Sequence, residues 1–301
     1  MVWMDELRGD GRAGITSALV RELVAEQAPQ WADLPVRPVA ADGWDNRTYR
    51  LGDELSVRLP TAPGYVPAIA KEDRWLPVLG PHLPVPVPQP VFTGAPGAGF
   101  PHPWSVRRWL SGEPASTAGI ADPVRLATEV GEFLLALQDV DATGGPVAGE
   151  HSFYRGAPPS AYDEQTRQHL HVLDNRRERD LARAVWDEAV AAAPSAPPVW
   201  FHGDVAVGNL LVRDGSLVAV IDFGTSGVGD PACDLVLAWT SLGGPGRRRF
   251  AEVVGGDEQL WARARGWALW KELITIPGSR TPEVHRRIVR DVLADPVVGR
   301  S

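Results

Sequence analysis

Apolar residues recur along this chain with two periods, and the change from one to the other divides it. Residues 14–28 place Ile15, Leu19, Leu23 and Val24 on one face behind Thr16 or Ser17, which predicts an amphipathic helix. Short runs then predict strands over Val36–Ala40, Thr48–Leu51 and Leu55–Leu59, with Gly52-Asp53 as the hairpin turn between the last two. Residues 67–79, carrying Ile69, Trp75, Leu76 and Leu79, return to a helical period. Pro81 to Pro90 is so rich in proline that it predicts an extended connector. Val91–Gly94 and Trp104–Leu110 predict two more strands.

From about Asp122 the helical period dominates. Val124–Leu137 is strongly periodic, and Ala161–Ala193 predicts another long helical region. Trp200–Phe223 reads as strands and turns, followed by helices over Asp234–Leu242, Asp257–Ile276 and Thr281–Leu293. The expected organisation is α+β: residues 1–110 a small β-rich lobe and 111–301 a mainly helical lobe, with a linker near Ser111–Pro114.

Composition narrows the class. Over 301 residues a net charge of −8 argues against a general nucleic-acid binder, which needs a basic face. A single cysteine, Cys233, allows no internal disulfide and reads as a buried thiol. Met1 to Asp10 has acids and no apolar segment, so no signal peptide is expected, and no run is long enough to span a membrane. A cytoplasmic protein is the default expectation. The excess of Arg over Lys reads as coding bias.

The chemistry is concentrated in Val199–Leu235. Asp204 follows the apolar strand Val199-Trp200-Phe201 in the segment Phe201-His202-Gly203-Asp204 and sits where a carboxylate can orient and deprotonate a hydroxyl. Asn209, five residues later, offers a neutral oxygen. Asp222 directly follows the buried run Leu217–Ile221, so it stands at a strand end. Asn209 and Asp222 are hard oxygen donors of the kind Mg²⁺ accepts alongside phosphates. Each residue alone is more often a turn or cap residue; the combined spacing makes the constellation specific.

That array, with Asp222-Phe223-Gly224, resembles the catalytic and metal-binding loops of the protein-kinase superfamily. Gly203, and the stretch Gly229-Asp230-Pro231-Ala232-Cys233-Asp234-Leu235, resemble the aminoglycoside phosphotransferase branch, a family of small-molecule kinases. The resemblance covers roughly residues 40–240. It implies a kinase-like two-lobe fold, with a small antiparallel β lobe that binds nucleotide and a larger helical lobe that carries catalysis and the acceptor. It implies Asp204 as catalytic base, Asn209 and Asp222 as Mg²⁺ ligands, and ATP or GTP as phosphate donor. His202, Asp230 and Asp234 are implied as braces of the loop.

On the nucleotide side, Arg58 in Leu55-Ser56-Val57-Arg58-Leu59 takes the place of the usual lysine, a form similar to macrolide-phosphorylating relatives. Glu72 is expected to pair with it, with Asp73 as rival. Asp42–Thr48 lies where a glycine-rich loop would, and the backbone N–H groups of Asn46 and Arg47, or the Asn46 side chain, are expected to approach phosphate, with an ordinary hairpin turn as the alternative. Arg107 to Leu110, including Trp109 and Leu110, is expected to be the hinge that meets the base.

The partners implied are a nucleoside triphosphate and a hydroxyl-bearing small molecule, with no nucleic acid and no membrane. An antibiotic of aminoglycoside, macrolide or nucleoside type is the leading acceptor. Yet residues 243–290 carry ten basic residues against five acids, which does not favour a polycation. Trp239, Trp261, Trp267 and Trp270 are available for core or pocket, and Arg247-Arg248-Arg249 reads as a solvated helix face. Rival readings are a choline, homoserine or ketosamine type of metabolic kinase and a non-catalytic nucleotide-binding module. A protein kinase is disfavoured, because the 11 residues from Asp222 to Cys233 leave little room for a peptide-docking segment.

Overall fold

The computed structural model describes residues 12–39, 43 and 45–295. Met1 to Asp10, Ala40 at the end of the first expected strand, and Asp42 and Trp44 of the expected phosphate loop lie outside the described residues. The chain forms two compact units: the residues up to Ser111 together with Ala219–Gly224, and Gly112–Val218 together with the residues from Thr225 onward.

The first unit is built on a five-stranded antiparallel sheet. Its strands are β1 (Val36–Pro38), β2 (Asn46–Leu51), β3 (Leu55–Pro60), β4 (Pro90–Gly94) and β5 (Trp104–Arg108), in the order β1-β2-β3-β5-β4. The β2–β3 hairpin pairs Leu51 with Leu55 across the expected turn, and the same register sets Arg58 opposite Thr48 and Ser105. Helix α1 (Ser17–Gln27) starts where Thr16 accepts a hydrogen bond from the Leu19 N–H, so Thr16 is the cap. Its buried Val20, Leu23 and Val24 pack with Tyr49, Leu51, Val57, Leu59, Trp104 and Val106 into one apolar core. Helix α2 (Val66–Leu79) buries Ile69, Leu76 and Leu79, and Glu72 with them.

The proline-rich connector is less extended than expected. Gly80–His82 forms a 3₁₀ turn, because Pro81 at its second position supplies a helical φ and its missing N–H would have had no partner within the first turn. Extended backbone begins at Leu83.

The second unit is mainly helical. Its helices are α3 (Ala115–Ala118), α4 (Pro123–Gln138), α5 (Asp163–His169), α6 (Arg176–Ala191), α7 (Leu237–Thr240), α8 (Gly243–Val254), α9 (Glu258–Thr275) and α10 (Pro282–Ala294). Strands β6 (Glu113–Pro114), β8 (Leu210–Arg213) and β9 (Ser216–Val220) lie side by side in that order, with the last residues of β9 counting with the first unit. A second ribbon pairs β7 (Val199–Phe201) with β10 (Gly227–Gly229).

Helix α9 is the axis of this unit. Trp261, Ala264, Trp267, Ala268, Leu269, Trp270 and Leu273 are all buried, so no polar stripe faces water. Its buried charges are matched: Arg263 bonds Asp230 at 2.6 Å, and Arg265 donates to the carbonyls of Val292 and Leu293 near the end of α10.

Two expectations are corrected. The long helical stretch 161–193 breaks at Leu173–Asn175, where the Asn175 side chain accepts from the Glu178 N–H and starts α6 anew. Helix α8 begins with Gly243-Gly244-Pro245-Gly246. Gly246 fits because a Cβ there would come 2.9 Å from the Pro123 carbonyl oxygen, so α8 and α4 approach closely only through a glycine. Arg247 on α8 is no solvated side chain, since it bonds Asp295 at 2.6 Å and the Ala238 carbonyl.

Candidate functional site

In the first unit the site is a buried charge cluster. Arg58 Nη1 lies 3.2 Å from Glu72 Oε1, and Arg58 Nη2 lies 3.8 Å from Asp222 Oδ1. Strand β3 aims Arg58 at one turn of α2, which presents Glu72. Burial alone would lower the Arg58 pKa, but Glu72, Asp222 and Asp45 together raise it. Burial pushes the Glu72 carboxyl up, yet Arg107 and Arg58 outweigh that and hold it at about 2. Glu72, rather than Asp73, is therefore the partner of Arg58. Asp73 instead accepts from Thr93 at 2.6 Å and pairs with Arg107 at 3.3 Å.

Arg107, expected at the hinge, turns its side chain into this cluster. Its backbone lies inside the sheet, opposite Ser56 and Pro90, and its side chain is buried against Glu72. Nη1 stands 3.0 Å from Glu72 Oε1 but off the N–H direction, so the contact is an ion pair without a well-formed hydrogen bond. The Trp109 N–H donates to the Glu54 carbonyl, and its ring carries the Arg50 guanidinium at 4.1 Å. Leu110 follows the strand, partly exposed. Asn46 begins β2 with its side chain buried, and its Oδ1 has no hydrogen-bond partner among the described residues. Asp222 has a left-handed backbone, φ 68°, a conformation non-glycine residues seldom adopt and one that recurs at functional positions.

Lys71, next to Glu72 on α2, was not singled out from sequence. Burial lowers its pKa to about 8 against the pull of Glu72 and Asp222.

In the second unit the site is the loop after β7. Asp204 is held at both oxygens: Asn209 Nδ2 donates to Oδ2 at 3.2 Å and to the Asp204 carbonyl at 2.9 Å, and Lys271 Nζ donates to Oδ1 at 3.0 Å. Asn209 spends its amide nitrogen on Asp204, which leaves its Oδ1 as the free donor type a hard cation takes. Burial would raise the Asp204 pKa, but Lys271 above all, then Arg155 and His202, hold it below the usual carboxylate range.

The loop backbone is fixed from beneath. Asp234, fully buried, accepts the N–H groups of His202 and Gly203, both at 2.7 Å, while burial raises its own pKa to about 7. His202, also fully buried, accepts the Asp204 N–H at Nδ1. Gly203 has φ 89°, and a Cβ there would meet the Thr225 carbonyl oxygen at 2.8 Å, so only glycine lets the loop turn here. Asp230 caps Ala232 and locks Arg263.

A small recess opens beside Asp204, lined by Arg155, Cys233, Trp267, Trp270 and Lys271. Trp267 and Trp270 therefore face the recess, whereas Trp239 and Trp261 pack edge to face in the core at 6.0 Å. Burial pushes the Cys233 thiol well up, so it is an inert wall. Lys271 and Arg155 escaped the sequence reading. One signal was present for Lys271: the chain contains two lysines, Lys71 and Lys271, among 30 basic residues, the first beside Glu72 and the second bonded to Asp204.

No helix among the described residues is long and apolar enough to cross a membrane. Among solved structures, the fold matches the GDP complex of wild-type aminoglycoside 2'-phosphotransferase-IIIa with a TM-score of 0.74 at 18% identity, covering 93% of this chain and 99% of that one. It also matches the macrolide 2'-phosphotransferase of Brachybacterium faecium with a TM-score of 0.61 at 23% identity, covering 93% and 98%. These likenesses establish the protein-kinase-like α+β fold. In sequence, 71 residues are 40% identical to an aminoglycoside 3'-phosphotransferase of Escherichia coli, 23% of this chain and 26% of that protein. The chain thus matches about a quarter of the length of its curated relatives. Residues 36–267, well over half of the chain, match the family model of the phosphotransferase enzymes, and the chain belongs to that family, APH.

Proposed function

We propose that this protein transfers the γ-phosphoryl group of ATP or GTP to a hydroxyl of a small molecule. The observation that carries the reading is Asp204, a carboxylate fixed at both oxygens by Asn209 and Lys271 on a loop tied down by Asp234. Such a group orients an acceptor hydroxyl and takes its proton as the new P–O bond forms. Arg58, steadied by Glu72, clamps nucleotide phosphate oxygens; the residues up to Ser111 are the nucleotide-binding part and the remainder is the catalytic and acceptor-binding part. Asn209 and Asp222 are the proposed oxygen donors to Mg²⁺, which when bound offsets charge on the phosphate oxygens. The compartment proposed is the cytoplasm.

Relatives named as aminoglycoside and macrolide phosphotransferases support an antibiotic acceptor, with resistance by inactivation as the consequence. The second reading, a metabolic small-molecule kinase, is favoured by one observation: two cations, Arg155 and Lys271, line the recess at Asp204. The test is a nucleotide-consumption screen against antibiotics and hydroxylated metabolites, read by the mass shift of the product. Asp204→Ala is expected to lower kcat by roughly 10²–10⁴-fold with nucleotide affinity kept. Transfer at near wild-type rate in that variant would overturn the mechanism.

A further inference from the structure

We infer that the acceptor is an organic anion, a hydroxyl compound bearing a carboxylate or phosphate group that Arg155 receives; the inference rests on the phosphotransfer reading for the role of Asp204.

The charges lining the recess are not all matched. Its carboxylate at the surface is Asp204, already matched by Lys271 at 3.0 Å. Asp230 is taken by Arg263 at 2.6 Å, and Asp234 is turned to the loop amides. Glu272, next to Lys271 in sequence, is bonded to His285 at 2.6 Å. Arg155 therefore remains as a guanidinium with no carboxylate in ion-pair contact among the described residues, its charge reaching Asp204 only at longer range. Its Nη1 donates to the Phe153 carbonyl, the guanidinium also hydrogen-bonds Tyr162, and its Cζ lies 4.6 Å from the centre of the Trp270 ring. A guanidinium supported on an aromatic face, with donors still to spare, is a preorganised receptor for a planar or tetrahedral oxyanion.

The surrounding aromatics favour the same ligand class. Tyr162 stacks on Trp270 at 4.3 Å, and Trp267 crosses Trp270 edge to face at 5.3 Å, so the position of Arg155 is held by a rigid stack. The Trp270 N–H is spent on Gln165, whereas the buried Trp267 N–H has no acceptor among the described residues. An anionic ligand brings acceptor oxygens and no competing charge. A polycation brings ammonium groups against Arg155 and Lys271 and finds one carboxylate, already paired. The recess discriminates by repulsion as well as by attraction.

The experiment uses the full-length protein and four pyranoses that share one ring: glucuronate, glucose 6-phosphate, glucose and glucosamine. Calorimetric titration is expected to give glucuronate or glucose 6-phosphate a Kd at least about tenfold below those of glucose and glucosamine. Which of the two anions binds tighter tells carboxylate from phosphate. In Arg155→Gln that preference should disappear, with the melting temperature of the unliganded protein checking the fold and Arg155→Lys restoring part of it. Equal binding of all four, no binding of either anion, tighter binding of glucosamine, or a preference that survives Arg155→Gln would each overturn the inference. A parallel titration with MgATP and MgGTP keeps the two readings apart. Anion binding without nucleotide use would sink phosphotransfer and leave the anion site standing. Phosphorylation confined to cationic acceptors would do the reverse.

Discussion

Arg58 and Glu72 meet at 3.2 Å, with 14% and 2% of their side chains exposed, and Arg107 approaches the same carboxylate oxygen at 3.0 Å. One buried acid thus balances two buried guanidiniums. Removing it leaves both cations in a poorly solvated interior, where an orphaned charge is costlier than the pair is favourable. Glu72→Ala is expected to lower stability by about 3–5 kcal/mol, read as a drop in the urea midpoint at unchanged m. A loss below about 1 kcal/mol would mean that Asp73 and Asp222 take over both cations.

The same pair sets an acid limit. The Glu72 pKa falls from the usual 4.5 to about 2 because Arg107 and Arg58 outweigh its burial. A depressed acid contributes stability that is complete above about 4.5 and is lost as pH falls toward 2. The stability difference between the wild type and Glu72→Gln should therefore be constant near neutrality and shrink across that window. A difference that grows on acidification would contradict the assignment.

Arg58 spans two acids, Glu72 and Asp222, with different nitrogens. A lysine offers one ammonium and cannot keep both contacts while meeting phosphate. Arg58→Lys should raise the nucleotide KM roughly tenfold, about 1.4 kcal/mol of binding, with kcat for the acceptor less affected. An unchanged nucleotide KM would remove Arg58 from the phosphate site.

How much of this was legible beforehand follows from distance along the chain. The hairpin, the β7 loop and the Asp204–Asn209 interval are local, and their spacing alone carried them. Glu72 could be favoured over Asp73, but only the packing of α2 on the sheet shows which acid faces Arg58. Nothing local marks Arg107 as a buried strand arginine, because its partners lie 34 and 35 residues away. Arg247 on α8 reads as solvated because its partner Asp295 lies 48 residues away. Lys271 meets Asp204 across 67 residues, and Arg155 sits in a region without a strong period. Their juxtaposition is a product of tertiary structure, and scarcity of lysine was the one hint of it.

Asp234 is expected to matter through geometry. It accepts two loop amides at 2.7 Å in a fully buried position. Asp234→Ala strands both N–H groups, each at a cost of about 1–3 kcal/mol, and frees the turn that aims Asp204. Lower thermal stability together with a fall in kcat is the expected result. Full activity in a variant of reduced stability would show that the loop keeps its shape through His202 and Gly203 alone.

Lys271 should govern the pH at which the base is ready. Burial works to raise the Asp204 pKa, and the Lys271 ammonium is the largest influence holding it down. A general base acts when deprotonated, so a lowered pKa keeps Asp204 competent into mildly acidic solution. Lys271→Met removes the opposing charge while keeping much of the side-chain volume, and the carboxyl should then titrate at higher pH. The acid limb of the kcat/KM profile should move upward, and the loss of rate relative to the wild type should be greater at low pH than at high pH. A uniform loss at every pH would instead assign Lys271 to holding the transferred phosphoryl or the acceptor, since that contact does not depend on the protonation of Asp204. The profile thus separates two roles that a single rate measurement would merge.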